Sequence, residues 1–129
     1  MGTQFTYNRK EKLKSRKVLS TLFAEGKSIS VFPVKVFYLP VMDEKAAVIQ
    51  TGVGVSARNF KKAVDRNRIK RLLRECYRLN KTPLHATAMA KEKKMAFFFL
   101  YIGKEVPDYV LLDEKMKTVI TKLETILGN

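Results

Sequence analysis

Acidic side chains are scarce in this chain: 12 Asp and Glu stand against 26 Lys and Arg, a formal charge of +14 over 129 residues. Such an excess repels itself in the free protein and is ordinarily tolerated when the partner is a polyanion. Cysteine occurs once, as Cys76, so no internal disulfide can form, a usage that fits a reducing compartment. Histidine also occurs once, as His85, with no cysteine close to it in sequence, which speaks against a His/Cys metal site. No apolar run approaches the ~18–20 residues of a membrane span. The first residues lack the apolar stretch of a secretory leader. These absences lead us to expect a cytoplasmic protein. With 46% hydrophobic residues the chain has enough apolar material for one core, and we expect a single domain over residues 1–129, with 1–14 as a basic arm.

The positive charge is unevenly spread. Arg9, Lys10, Lys12, Lys14, Arg16 and Lys17 oppose only Glu11, residues 58–81 are basic again, and beyond Lys104 the charges nearly cancel. Within the second zone Ile69, Leu72, Leu73, Cys76 and Tyr77 recur at the spacing of one helical face. Asn67, Arg71, Arg74 and Arg78 fall on the opposite side, flanked by Arg68 and Lys70. Arginine suits forked hydrogen bonding to phosphate and stacking on bases. Only Asp65 and Glu75 offset these cations, so the helix reads as a nucleic-acid-binding face. Cys76 lies on its apolar side and is expected to be buried.

Around that helix the periodicity predicts six elements. A helix capped by Ser15 runs through Val18, Leu19, Leu22 and Phe23 and stops at Gly26. A strand over 31–41 carries Val34, Val36 and Tyr38 on one side and Lys35 and Phe37 on the other. Residues 42–45 read as a hairpin turn into a second strand over 46–55. The basic helix follows, then a connection over 82–94 that contains Pro83 and His85. Met95 to Ile102 is an apolar run of strand length, expected at the sheet centre, and Leu111 to Leu127 closes the chain as an amphipathic helix. The expected fold is therefore α/β (α+β), a two-layer sandwich of order α-β-β-α-β-α with helices on a mainly antiparallel sheet.

Several catalytic readings fail on spacing. Gly26-Lys27-Ser28 imitates the end of a phosphate-binding loop, but Thr21 stands where its first glycine is required and a helix, not a strand, precedes it. Gly52-Val53-Gly54 lacks the third glycine and the acidic residue of a dinucleotide site. The carboxylates are scattered, and no Ser/His/Asp constellation is evident, so no protein side chain is expected to be catalytic and none to hold a metal. Phe23, Val34, Val36 and Tyr38 admit two readings: plain core, or an apolar-aromatic groove beside the basic helix on which unpaired bases lie.

Gly52-Val53-Gly54-Val55-Ser56, then Lys62-Ala63-Val64, then the run Arg66-Asn67-Arg68-Ile69-Lys70-Arg71-Leu72-Leu73-Arg74-Glu75, closely resemble the protein subunit of bacterial ribonuclease P. The resemblance extends over nearly the whole chain. It implies a sandwich similar to a ribosomal-protein domain, with a left-handed crossover. It also implies a role beside a catalytic RNA that removes the 5′ leader of precursor transfer RNA with Mg2+. By matching position, Arg66, Asn67, Arg68, Lys70, Arg71 and Arg74 would contact that RNA, with Arg58 and Lys62 joining them. Leu19, Phe23, Val34 and Val36, with Tyr38, would form the groove for the single-stranded leader. A ribosomal or assembly protein without an enzymatic partner is the alternative. A helix-turn-helix DNA reader is disfavoured because strands precede the basic helix.

Overall fold

A computed structural model describes residues 16–42 and 48–128. The basic arm, the Ser15 cap and most of the turn expected at 42–45 lie outside the described residues. The elements are α1 (Arg16–Glu25), β1 (Lys27–Val31), β2 (Val34–Pro40), β3 (Ile49–Val55), α2 (Ala63–Asn80), α3 (Thr82–Ala90), β4 (Met95–Tyr101) and α4 (Tyr109–Gly128). The result is an α+β fold with four helices and a four-stranded mixed sheet of order β1-β2-β4-β3.

Three expectations change. The single strand expected over 31–41 is a hairpin instead: β1 and β2 pair antiparallel from Lys27↔Tyr38 to Val31↔Val34 and meet at the Phe32–Pro33 turn. Proline ends the first strand there because it has no N–H to give to a ladder. The hairpin expected between β2 and β3 does not exist, since β4 lies between them. β4 pairs antiparallel with β2 and parallel with β3. Its sequence, Met-Ala-Phe-Phe-Phe-Leu-Tyr, is apolar on both faces and so takes a central place. A parallel pair needs a crossover rather than a turn, and the chain between β3 and β4 supplies α2 and α3. The connection at 82–94 thus contains a helix, with Pro83 in its first turn and Leu84 and Ala88 buried. The element order becomes α-β-β-β-α-α-β-α.

Strand alternation divides the sheet into two unlike faces. Cross-strand partners place Ile29, Val31, Val34, Val36, Tyr38, Ile49, Thr51, Met95, Phe97, Phe99 and Tyr101 on one face. This face packs under α2 and α4 in the main core with Ile69, Leu73, Tyr77, Met116, Val119 and Leu123. The opposite face carries Ser28 and Ser30, Lys35, Phe37 and Leu39, Ala96, Phe98 and Leu100, and Gln50, Gly52 and Gly54. Among the described elements only α1 leans on it, through Val18, Leu19 and Leu22 against Phe37, Leu39, Ala96 and Phe98.

α1 ends where expected, with the Gly26 N–H donating to Leu22 O at 2.9 Å. No described glycine has a positive φ, so the left-handed cap is not what selects glycine here. A Cβ at Gly26 would come within 2.4 Å of Leu22 O and 3.0 Å of Tyr38 O. Close backbone approach at the α1–β1 corner excludes any side chain.

Candidate nucleic-acid interface

The basic helix α2 is oriented by its apolar side. Ile69, Leu73, Cys76 and Tyr77 are buried, and the Asn80 amide donates to Asp113 of α4 at 2.8 Å. Burial, reinforced by Asp113 and Glu75, pushes the Cys76 thiol up to about 12, so this cysteine is packing and not a nucleophile. The orientation leaves Lys62, Asn67, Arg68, Arg71 and Arg74 exposed and Lys70 half-buried. Among the described residues no carboxylate pairs with Arg68, Arg71 or Arg74. Arg78 differs, because it pairs with Glu75 one turn back and is withdrawn from the cationic face.

Arg66 has a structural duty as well. Its Nη1 donates to the carbonyls of Phe60 and Lys61, each at 2.8 Å, and ties the loop before α2 to the helix. That loop is fixed at further points. Asn59 and Phe60 N–H groups donate to Ser56 O, each at 3.2 Å, and the Asn59 amide donates to Gly103 O at 3.2 Å. The Phe60 ring lies 6.0 Å from that of Tyr101, whose hydroxyl donates to Glu105 O at 2.6 Å. Burial first, then the Glu105 carboxylate, hold the Tyr101 phenol above its ordinary range. The loop thus presents exposed Arg58, Lys61 and Lys62 on a pinned backbone.

On the other face of the sheet three aromatic rings meet. Phe23 of α1 stands edge-to-face on Phe37 (5.1 Å, 76°) and on Phe98 (5.1 Å, 74°). It keeps 49% of its surface exposed. The Lys35 ammonium sits 5.0 Å from the Phe37 ring centre. Rings open to solvent beside a cation form the kind of surface on which unpaired bases stack.

The groove residues named from the sequence divide accordingly. Phe23 is on this surface, and Leu19 is half-buried beneath it against Leu22. Val34 and Val36 are not on it: both are 0% exposed, in the core under the helices. Tyr38 shares their face and packs against the same core. The correction is one of parity, since a strand turns alternate residues to opposite sides. Lys35, Phe37 and Leu39 of β2 reach the open face, and Phe98 of β4 joins Phe37 there. Nor does the groove adjoin the basic helix on one face. α2 packs on the far side of β3, so the aromatic and cationic surfaces lie on opposite faces of the sheet and are linked through β3 and the loop at 56–62.

An α+β fold whose mixed sheet has exposed aromatic rings on one face, and beyond the other an arginine-lined helix with no carboxylate pairing Arg68, Arg71 or Arg74 among the described residues, has the make-up of a nucleic-acid-binding protein. The Ribonuclease P family model matches residues 7–124. The chain is 33% identical over 119 residues to the Ribonuclease P protein component of Porphyromonas gingivalis, covering 92% of this chain and 87% of that protein. It is 31% identical over 120 residues to the protein of that name from Chlorobium phaeobacteroides, covering 85% and 82%. The Staphylococcus aureus RNase P protein has the same fold, with a TM-score of 0.68 at 16% identity, over 92% of this chain and 98% of that one. For the Thermotoga maritima protein the TM-score is 0.56 at 25% identity, covering 92% and 96%. This chain belongs to the bacterial ribonuclease P protein family. It is thereby the protein subunit of a ribonucleoprotein endoribonuclease of transfer RNA processing.

Proposed function

We propose that the chain works as a two-sided RNA clamp. The α2 face, through Arg68, Lys70, Arg71 and Arg74 with Asn67, Arg66, Arg58 and Lys62, grips the catalytic RNA. The open sheet face, through Phe23, Phe37, Phe98 and Lys35, holds the single-stranded 5′ leader of precursor transfer RNA. The observation that carries this reading is the Phe23–Phe37–Phe98 cluster, solvent-open and beside Lys35, on a chain whose other side bears arginines with no carboxylate partner among the described residues.

The physical task is electrostatic. Two RNA molecules repel each other, and a bridge of Lys and Arg releases condensed counterions from both. A leader that is cut away need not be read base by base, so stacking on ring faces and contact with phosphates are enough. Among the described residues no three His, Cys, Asp or Glu come together as a metal site. In this reading Mg2+ is held mainly by the RNA partner, where it supplies the polarised phosphate and activated water of hydrolysis. The protein side chains orient and neutralise. The family reading carries with it a left-handed crossover, a likeness to a ribosomal-protein domain, and action in the cytoplasm.

Reconstitution with the cognate catalytic RNA tests the proposal. The protein should stimulate 5′ maturation most at low magnesium and moderate salt, and should be inert alone. Robust precursor cleavage by RNA-free protein would refute it.

A further inference from the structure

Among the described aromatic residues that belong to neither surface, Phe32 is the most exposed. Phe32, in the β1–β2 turn, is 68% exposed, more than Phe23 at 49%. Its backbone is nevertheless fixed. Val31 before it pairs with Val34, while Pro33 after it is buried and accepts a hydrogen bond from the Ile102 N–H at 2.8 Å. A large apolar side chain is therefore displayed to solvent from a held turn.

The surroundings of that turn matter more than its exposure. Ile102 links it to β4, and at the same end of the sheet the Ser56 N–H donates to Tyr101 O at 3.3 Å. Beyond Ser56 come the exposed Arg58, Lys61 and Lys62, and beyond Ile102 comes exposed Lys104. In the other direction along β2 lies Lys35, then Phe37 beneath its ammonium. Four residues of strand, ~13 Å at ~3.3 Å each, separate the turn from the Phe37 row. Phe32 thus stands at the same end of the sheet as the cationic loop, across β4 and β3 from it, with Lys35 between it and Phe37 along β2.

We propose that Phe32 is a further base-stacking residue, which extends the platform to the end of the sheet and hands the single strand on to the Arg58–Lys62 loop. The inference rests on the reading of the open sheet face as the leader site. Aromatic rings alternating with cations along one track are the arrangement that binds single strands without reading sequence. A paired duplex keeps its base faces stacked inside and offers the ring nothing comparable. The occupant is therefore an unpaired nucleotide of the leader.

The chain contains no tryptophan, so Phe32→Trp and Phe23→Trp each introduce a single indole whose emission is quenched when a base stacks on it. Both variants are reconstituted with the catalytic RNA and titrated with precursors whose leaders lengthen one nucleotide at a time, and with leaderless transfer RNA. Leader-bearing precursor should quench both reporters and leaderless transfer RNA neither. The minimal leader for the two should differ by about four nucleotides if the strand is stacked at ~3.4 Å per nucleotide, and by fewer if it is extended. Phe32→Ala should weaken binding of leader-bearing precursor about tenfold without shifting the melting temperature. Quenching at position 23 but not at 32 with saturating precursor overturns the role of Phe32 alone. So does quenching at 32 by catalytic RNA alone or by leaderless transfer RNA. Silence of both reporters while the leader-bearing precursor is bound overturns the leader platform and its extension together.

Discussion

The ring of Phe98 lies across Gly54: a Cβ on that glycine would sit 2.6 Å from Phe98 Cζ. The two belong to neighbouring parallel strands, and the missing side chain on β3 leaves the space that the end of the β4 ring occupies. Gly54→Ala should therefore tilt Phe98 and disturb its contact with Phe23. The atom displaced is the far end of a side chain, so the fold should survive. Leader-bearing precursor should bind about 1 kcal/mol more weakly, at the lower end of what one base stack contributes. Leaderless transfer RNA should bind as before. Filter binding with both RNAs, beside a thermal melt, reads the difference.

The arginines of α2 should not behave alike. Arg71→Ala and Arg74→Ala remove exposed guanidinium groups that pair with no carboxylate among the described residues, and each should cost about 1–3 kcal/mol in affinity for the catalytic RNA where the contact is charge-assisted. Each should also reduce the slope of log K against log salt by about one, with unfolding unchanged. Arg66→Ala should lower stability as well, since it releases the Phe60 and Lys61 carbonyls. Arg78→Ala should affect RNA binding least, its charge being already paired with Glu75. Salt-dependent binding isotherms and melts on the four variants separate these behaviours; equal effects at Arg71 and Arg78 would contradict the assigned face.

How much of this was legible in the sequence depends on whether a feature is local. The α2 register was, because Ile69, Leu73, Cys76 and Tyr77 repeat at helical spacing and are the residues the fold buries. β1 was not, because Lys-Ser-Ile-Ser-Val offers only two apolar residues and pairs on one edge only. α3 was hidden for a different reason: Leu84 and Ala88 are buried but Met89 is 65% exposed, so its apolar residues do not trace a single face. The alternation of β2 could be read, yet not which side the helices cover. Val34, Val36 and Tyr38 looked as fit for a groove as Lys35 and Phe37 for a surface. Only pairing with distant β4, which aligns Val36 with Phe99 under the helices and Phe37 with Phe98 in the open, decides it. The parallel β3–β4 pair is equally non-local and leaves no trace in periodicity.

Cys76 gives a check on the core that is independent of RNA. With its thiol raised from 9.0 to about 12 by burial and the nearby Asp113 and Glu75 carboxylates, the folded protein should resist alkylation at mildly alkaline pH, while the unfolded chain reacts readily. The folded state favours the neutral thiol, so the stability tied to it is complete below pH 9 and is lost as pH climbs toward 12. Reaction with a maleimide at native and denaturing urea concentrations measures the protection. Rapid native labelling would contradict the packing described for α2.

Whether the open sheet face holds the leader is decided most directly by the ratio of affinities for leader-bearing and leaderless transfer RNA, measured in the holoenzyme with Phe23→Ala against the unaltered protein. Phe23 is half exposed, so its loss should leave the fold standing. The account predicts a loss of about 1–3 kcal/mol for the leader-bearing precursor and none for the leaderless RNA. As a reference, Val36→Ala, deep in the core, should lower stability by about 1–3 kcal/mol without changing that ratio. Equal losses for both RNAs at intact stability in Phe23→Ala would contradict the account.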